Sequence, residues 1–248
     1  MSYKAVIFDK DGTLFDYYTV WAPVFRENID FLLNTLGRSQ DKKLRHSILR
    51  LLGIDSDGVN PEGLIFKHNG PFMLFNLFLF SKRNRISYPL LVKGLKEGFY
   101  ESKNLIRDSL IKETDEESLF PLFSKLKDAG YIIGIVTSDN LESTQICLDH
   151  FKISGLIDMI STYDDHFKKK PHPQSFSAFC DKFSLKPEEV IMVGDAPVDM
   201  TYAKRGGAGY KIGVLTGSGD VKRLSKIADV IYADIHGMNN DQKIFPSS

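Results

Sequence analysis

Phe8-Asp9-Lys10-Asp11-Gly12-Thr13-Leu14, entered directly from Ala5-Val6-Ile7, decides how the rest of the chain reads. The run Ala5-Val6-Ile7-Phe8 has the unbroken apolar character of a buried strand. Two carboxylates therefore arrive at a strand end, where Asp-Gly marks a turn. Residues i and i+2 of an extended strand share one face. Asp9 and Asp11 are thus expected to converge on one ligand while Lys10 points away, a geometry for a metal ion and a phosphate. A plain Asx-rich turn is the structural alternative, but Asp-x-Asp-Gly-Thr should arise by chance in under roughly one chain in a hundred at average residue frequencies.

Working outward, 248 residues suffice for one domain with a substantial insertion. The 32 Lys and Arg balance 32 Asp and Glu, so no net charge recruits nucleic acid or an anionic membrane. Cys147 and Cys180 both lie in helix-like apolar segments, which suits buried reduced thiols better than a disulfide framework or metal site. A cytoplasmic address follows from that usage. Met1-Ser2-Tyr3-Lys4 leads straight into a strand, without the features of a secretory signal. The most apolar run, residues 71–80, is too short to cross a bilayer, which takes about 20 residues. A buried helix is expected there, with a subunit contact or an apolar wall over substrate as alternatives.

Two regimes of pattern divide the chain. From residue 131 onward, strand-like runs at 131–136, 157–160, 190–193, 210–214 and 230–232 alternate with helix-like segments at 141–151, 174–183 and 198–205. That alternation predicts a doubly wound, Rossmann-like parallel sheet with helices on both faces. Between residues 17 and 112 only helical periodicity is found, as in Val24, Phe25, Ile29, Leu32, Leu33 and Leu36. The expected organisation is an α/β core from residues 1–16 and 113–248, with a helical cap from 17–112 inserted after the first strand. Residues 12–18 and 106–117 are its expected hinges, and 53–70 a long loop within it. The Asp55-Ser56-Asp57-Gly58 string lacks the spaced oxygens and closing Glu of an EF-hand. The tail from 239 to 248 is expected to fray.

Three more segments sit where such a sheet binds ligands, at the carboxyl ends of strands. Thr137-Ser138-Asp139-Asn140 offers a hydroxyl and then backbone N–H groups at a helix start, an anion cradle or simply an N-cap. Lys168-Lys169-Lys170-Pro171 puts cations beside a proline-bracketed turn. Gly194-Asp195 and Asp199 place two carboxylates about one helical turn apart.

In this order the segments resemble the haloacid dehalogenase-like superfamily, and within it the phosphoglycolate phosphatase-like branch with an all-helical cap. Asp9-Lys10-Asp11-Gly12-Thr13, Thr137, Lys170-Pro171 and Gly194-Asp195 with Asp199 stand for the four family motifs. The resemblance implies that Asp9 is the nucleophile and Asp11 the acid and base. It implies Mg2+ held by Asp9, the Asp11 carbonyl and Asp195, and a phosphate held by Thr137, Ser138 and Lys170. Asp199 would orient Lys170 or a metal-bound water, with Gly12 and Thr13 in support. An aspartate at position 11 argues against dehalogenases and phosphonatases, which lack it. The function implied is a Mg-dependent phosphatase of a small phosphoglycolate-, sugar- or nucleotide-type monoester; a sugar-phosphate mutase or a phosphate-sensing scaffold remains open.

Lys10, where an apolar residue is commoner, and Gln174, where an acidic one often follows the Lys-Pro motif, depart from the family pattern. Neither is expected to touch phosphate. Tyr17, Tyr18 and Trp21 either wall the substrate or pack the first cap helix. Lys67, His68 and Asn69, in the long loop, are the candidate specificity element. The partner implied is a small phosphate ester, with no nucleic acid and no membrane; monomer and homodimer are both left open.

Overall fold

Short apolar strands lie side by side in one parallel six-stranded sheet in the computed structural model, which describes residues 3–54, 58, 60, 62–66, 70–101 and 103–246. In chain order they are β1 (Ala5–Phe8), β2 (Ile132–Val136), β3 (Met159–Ser161), β4 (Val190–Gly194), β5 (Tyr210–Val214) and β6 (Val230–Tyr232). Helices α1 (Tyr17–Thr35), α2 (Lys42–Leu52), α3 (Gly70–Arg83), α4 (Tyr88–Glu101) and α5 (Lys103–Glu113) follow β1 without a strand between them. Then α6 (Phe120–Asp128), α7 (Leu141–His150), α8 (Gln174–Phe183), α9 (Pro197–Gly206) and α10 (Val221–Leu224) alternate with the later strands. The chain forms two compact units, Met1–Tyr17 with Thr114–Ser248, and Tyr18–Glu113.

In the first unit the strand order is β3-β2-β1-β4-β5-β6. The chain starts at the centre, steps outward through β2 and β3, and returns to build β4, β5 and β6 on the other side of β1. Its direction of winding reverses between β1 and β4, the place where open α/β sheets leave a ligand crevice at their carboxyl ends. Register fixes what stands there: Phe8 pairs with Val193 and with Ile135. The residues that follow these three strands are therefore brought to one edge.

Both faces of the central strands are covered, which is why they read as continuous apolar runs. Alternation sends Ala5 and Ile7 one way, into a cluster with Phe176, Phe179, Tyr202 and Met192. Phe8 goes the other way and meets Phe123 of α6, ring centroids 4.9 Å apart. Each such fully buried ring contributes roughly 1.5–3 kcal/mol. Cys147 and Cys180 are free and buried, as expected of reduced thiols.

Several expectations are corrected. Helix α6 had no counterpart in the sequence reading, although Leu122, Phe123 and Leu126 have helical spacing and are buried. The boundary between the two units does fall inside the expected return hinge, where α5 runs through to Glu113 and a short connection leads to α6. The apolar run at 71–80 does form a helix, α3, but not a buried one; Phe72, Leu74, Phe75, Phe78 and Leu79 are exposed, Phe75 by 60%. Its apolar residues surround the helix, and a helix in a small bundle can turn only one side inward. The described part of the tail, 239–246, is bonded to the core. Asp241 accepts from the hydroxyls of Tyr210 and Tyr232, each at 2.9 Å, and the Tyr131 hydroxyl donates to the Ile244 carbonyl at 2.9 Å.

In the second unit, Asp41 caps α2 by accepting from the Leu44 N–H at 2.9 Å, and Gly53 ends it. Trp21 packs on Phe25 with centroids 5.9 Å apart, and the Tyr18 hydroxyl accepts from Arg26 at 2.6 Å. These two residues thus serve the packing of α1. Lys67, His68 and Asn69 lie outside the described residues. Among the described residues no helix is long and apolar enough to cross a membrane.

Candidate active site

Asp9 leaves the end of β1, Asp195 the end of β4, and Asp199 stands in the first turn of α9. All three are buried, and one carboxylate oxygen of each lies within 4.8 Å of the others. The Lys170 ammonium donates to Asp9 and, at 2.6 Å, to Asp199 Oδ1. Asp199 is held on its other side too, since Oδ2 accepts from the Ala196 N–H at 3.1 Å and so caps α9. Lys170 precedes Pro171 through a cis peptide bond.

Three carboxylates around one ammonium leave an excess of buried negative charge. Burial is the main cause that raises the Asp9 carboxyl from 3.8 to about 7; the Lys170 ammonium pulls it down, and Asp199 adds to the rise. Burial, then the charges of Asp199 and Asp9, push Asp195 well above the ordinary carboxylate range. For Lys170, burial alone would favour the neutral amine, but the carboxylates of Asp199 and Asp9 outweigh it and raise its pKa. This is the pattern of a site short of one cation. Converging hard oxygen donors fit a divalent ion of the magnesium type.

The support of Asp195 was missed by sequence reasoning. Its Oδ2 accepts from the Ser218 N–H at 2.7 Å and from the Ser218 hydroxyl at 3.2 Å. Ser218 belongs to Thr216-Gly217-Ser218-Gly219, just after β5, and a glycine-rich stretch at a strand's carboxyl end was the available signal. Gly12, with φ +81°, lets the chain turn under this loop, and Thr216 Oγ1 donates to the Gly12 carbonyl at 2.7 Å. Thr13 Oγ1 is 3.5 Å from Asp195 Oδ1. A Cβ on Gly217 would fall 2.0 Å from Asp195 Oδ2, so Gly217→Ala must displace that carboxylate. A shift of about 1 Å at such a group costs about 10²-fold. We expect that loss in kcat/KM, with Gly155→Ala, whose Cβ meets nothing within 4 Å, unchanged in the same assay.

Thr137 follows β2, its N–H bonded to the Ser161 carbonyl at 2.9 Å. Its hydroxyl accepts from the Asp139 N–H at 3.1 Å, while Asn140 caps α7 by accepting from Ser143 at 2.8 Å. The cap is therefore Asn140 and neither Ser138 nor Asp139. Thr137, Ser138 and Lys170 line one small cavity with Ser161, Thr162 and Ser175. Gln174, off the family pattern, accepts from the Lys168 N–H at 2.9 Å.

Asp11 and Lys10 depart from expectation. Asp11 is not part of the carboxylate trio; its Oδ1 accepts from Lys10 Nζ at 2.6 Å. Lys10, expected to point away from both, pairs with Asp11; its side chain is only 1% exposed and its ammonium also lies 2.9 Å from Asp139 Oδ2. With the sheet covered on both faces, a side chain between these two motifs lies in the interior and not in water.

The buried carboxylates and lysine thus stand at the switch point of the parallel sheet, where open α/β folds bind their ligands. The chain is a member of the haloacid dehalogenase-like hydrolases, whose family model matches residues 3–207. It is 26% identical to pyrophosphatase PpaX of Bacillus cereus (strain G9842) over 207 residues, 84% of this chain and 81% of that protein. With pyrophosphatase PpaX of Bacillus mycoides (strain KBAB4) it shares 33% over 100 residues, 40% of this chain but only 46% of that relative's length. A predicted phosphoglycolate phosphatase of Haemophilus somnus 129PT superimposes with a TM-score of 0.67 at 18% identity, covering 96% of this chain and 97% of that one. That likeness is one of fold.

Proposed function

We propose that this hydrolase is a magnesium-dependent phosphatase that cleaves a small soluble phosphate monoester through an aspartyl-phosphate on Asp9. The observation that carries this reading is the Lys170 ammonium, bonded to Asp9 and lining one cavity with Thr137 and Ser138. On this reading a nucleophile, a fixed cation and hydroxyl and N–H donors act on one phosphoryl group. Asp9 attacks phosphorus and the ester P–O bond breaks, with Asp11 giving its proton to the departing alkoxide. Water next attacks the aspartyl-phosphate and passes a proton to Asp11, which frees inorganic phosphate and regenerates both carboxyls. Thr137, the Ser138 N–H and Lys170 hold the transferring oxygens, and Asp199 keeps Lys170 in place. Mg2+, when held by Asp9, the Asp11 carbonyl and Asp195, supplies the charge that offsets anion–anion repulsion.

The names of the relatives bracket the substrate class: an anhydride in pyrophosphatase PpaX and a carboxylated alkyl ester in the phosphoglycolate phosphatase. We assign the choice among them to the helical insertion, which begins in the chain shortly after Asp9. The test is a panel of alkyl and aryl phosphates, pyrophosphate and sugar phosphates, assayed with Mg2+ and with excess chelator. Phosphate release should fall at least about 10²-fold on chelation, the scale of a lost electrostatic group. Metal-independent turnover overturns the reading, and a sugar phosphate returned as its isomer replaces it by a mutase.

A further inference from the structure

We propose that Lys10 is a positioning residue that clamps the Asp11 side chain to the phosphate-holding loop after β2. The inference rests on the reading of Asp11 as the acid of the phosphatase. Neighbouring side chains of a strand diverge, so Lys10 and Asp11 can meet only because the chain has already begun to turn. They meet at 2.6 Å, and the same ammonium lies 2.9 Å from Asp139 Oδ2 and over the Phe15 ring, 5.6 Å from its centroid. Asp139 is itself part of the Thr137 loop, its N–H donating to Thr137 Oγ1 at 3.1 Å. One buried cation thus ties the residue proposed to protonate the leaving group to the residue proposed to hold the phosphoryl oxygens.

The location argues for more than filling. An ammonium removed from water is costly unless paired, and well-packed apolar residues commonly replace a buried ionic cluster without loss of stability. Here the ammonium joins two loops that leave adjacent strands, β1 and β2, at the reaction edge of the sheet. Without it, the Asp11 and Asp139 carboxylates would face a common buried point with no cation between them. Like charges so placed repel. Asp11, with 18% of its side chain exposed against 13% for Asp139, can then turn towards water.

The test uses Lys10→Met and the double variant Lys10→Met/Asp139→Asn, which removes the carboxylate that the first leaves unpaired. Both are assayed with 4-nitrophenyl phosphate and with the alkyl phosphate that the wild type cleaves fastest. The readout is kcat/KM, which ends at departure of the leaving group and excludes the later hydrolysis shared by both esters. A phenolate needs little protonation and an alkoxide needs much. Both variants should lose about 10²-fold or more on the alkyl ester, the scale of a misplaced acid, and less than about tenfold on the aryl ester. The double variant should melt close to the wild type and still show that split.

Equal losses on the two esters, or no loss on either, overturn the clamp. So does a double variant that regains wild-type alkyl turnover, because packing alone would then explain the single one. A wild type that cleaves neither ester with Mg2+ overturns the phosphatase reading itself, and the clamp falls with it. A wild type that cleaves both, with variants that fail to separate them, removes only the clamp.

Discussion

Asp9→Asn should lower kcat by about 10⁴-fold or more, the scale seen when an enzyme's nucleophile is removed, and should abolish acid-stable labelling of the protein by substrate phosphate. The amide keeps the shape of the carboxylate and loses its attacking charge. It also removes one charged partner of the Lys170 ammonium, but the amide oxygen can still accept, and Asp199 Oδ1, at 2.6 Å, remains to hold that cation. Loss of turnover would then report the missing nucleophile and not a displaced lysine. A variant that keeps one-tenth of wild-type activity would show that the phosphoryl group is transferred without Asp9.

The same substitution tests the electrostatics independently of any assay of turnover. In the folded protein burial raises the Asp9 carboxyl from 3.8 to about 7. A carboxyl raised on folding favours the folded state at low pH, where it is protonated, and that contribution is lost as pH rises towards 7. Asn has no such loss. At roughly 1.4 kcal/mol per unit the difference is at most about 4 kcal/mol, and Lys170 giving up a partner offsets part of it. With chelator present, Asp9→Asn should melt near the wild type at pH 5 and about 5 °C above it at pH 8. A difference independent of pH would mean that the wild-type carboxylate is ionised throughout, and that its charge is already balanced by Lys170.

Much of this centre was legible because parallel strands buried on both faces must be unbroken apolar runs, and because each polar motif starts where such a run stops. Strand β5 falls at the expected residues for that reason, and the half-buried edge strand β6 and the amphipathic helix α8 fall there as well. Helix α6 was not, since Phe120-Pro121-Leu122-Phe123 shows an apolar run with no capping side chain ahead of it. Alternation sent Lys10 away from both Asp9 and Asp11, yet past the strand end it meets Asp11 in the interior, because alternation holds only within the strand and does not say whether the far side is water or protein. Nor did helical periodicity over residues 71–80 reveal which side of α3 faces inward, because every side is apolar. Ser218 escaped attention for a different reason. It acts on Asp195 through a backbone N–H and a hydroxyl in a glycine-rich turn, and such turns are common where no ligand binds.

Lys170→Met should cost both activity and stability, and the two losses should separate under the right second substitution. The ammonium stands between Asp9 and Asp199, with Asp195 in the same cluster. Removing one partner of a buried ionic group leaves charge without compensation and costs about 3–5 kcal/mol, which for a chain of this length corresponds to a fall in Tm of roughly 6–20 °C. The fall should be largest at pH 8 and shrink towards pH 5, because Asp9 and Asp195, already raised by burial, accept protons when no cation faces them. Added Mg2+ should raise the Tm of the variant by more than it raises that of the wild type, since a bound cation stabilises the state that holds it and the variant has one positive charge fewer. In Lys170→Met/Asp199→Asn the unpaired carboxylate at position 199 is gone, and most of the lost Tm should return. Turnover should not return: the fixed charge on the transferring phosphoryl group is still missing, a loss of about 10²–10³-fold in kcat. If the double variant recovers activity together with stability, Lys170 serves the fold alone and the phosphate must be held by other groups.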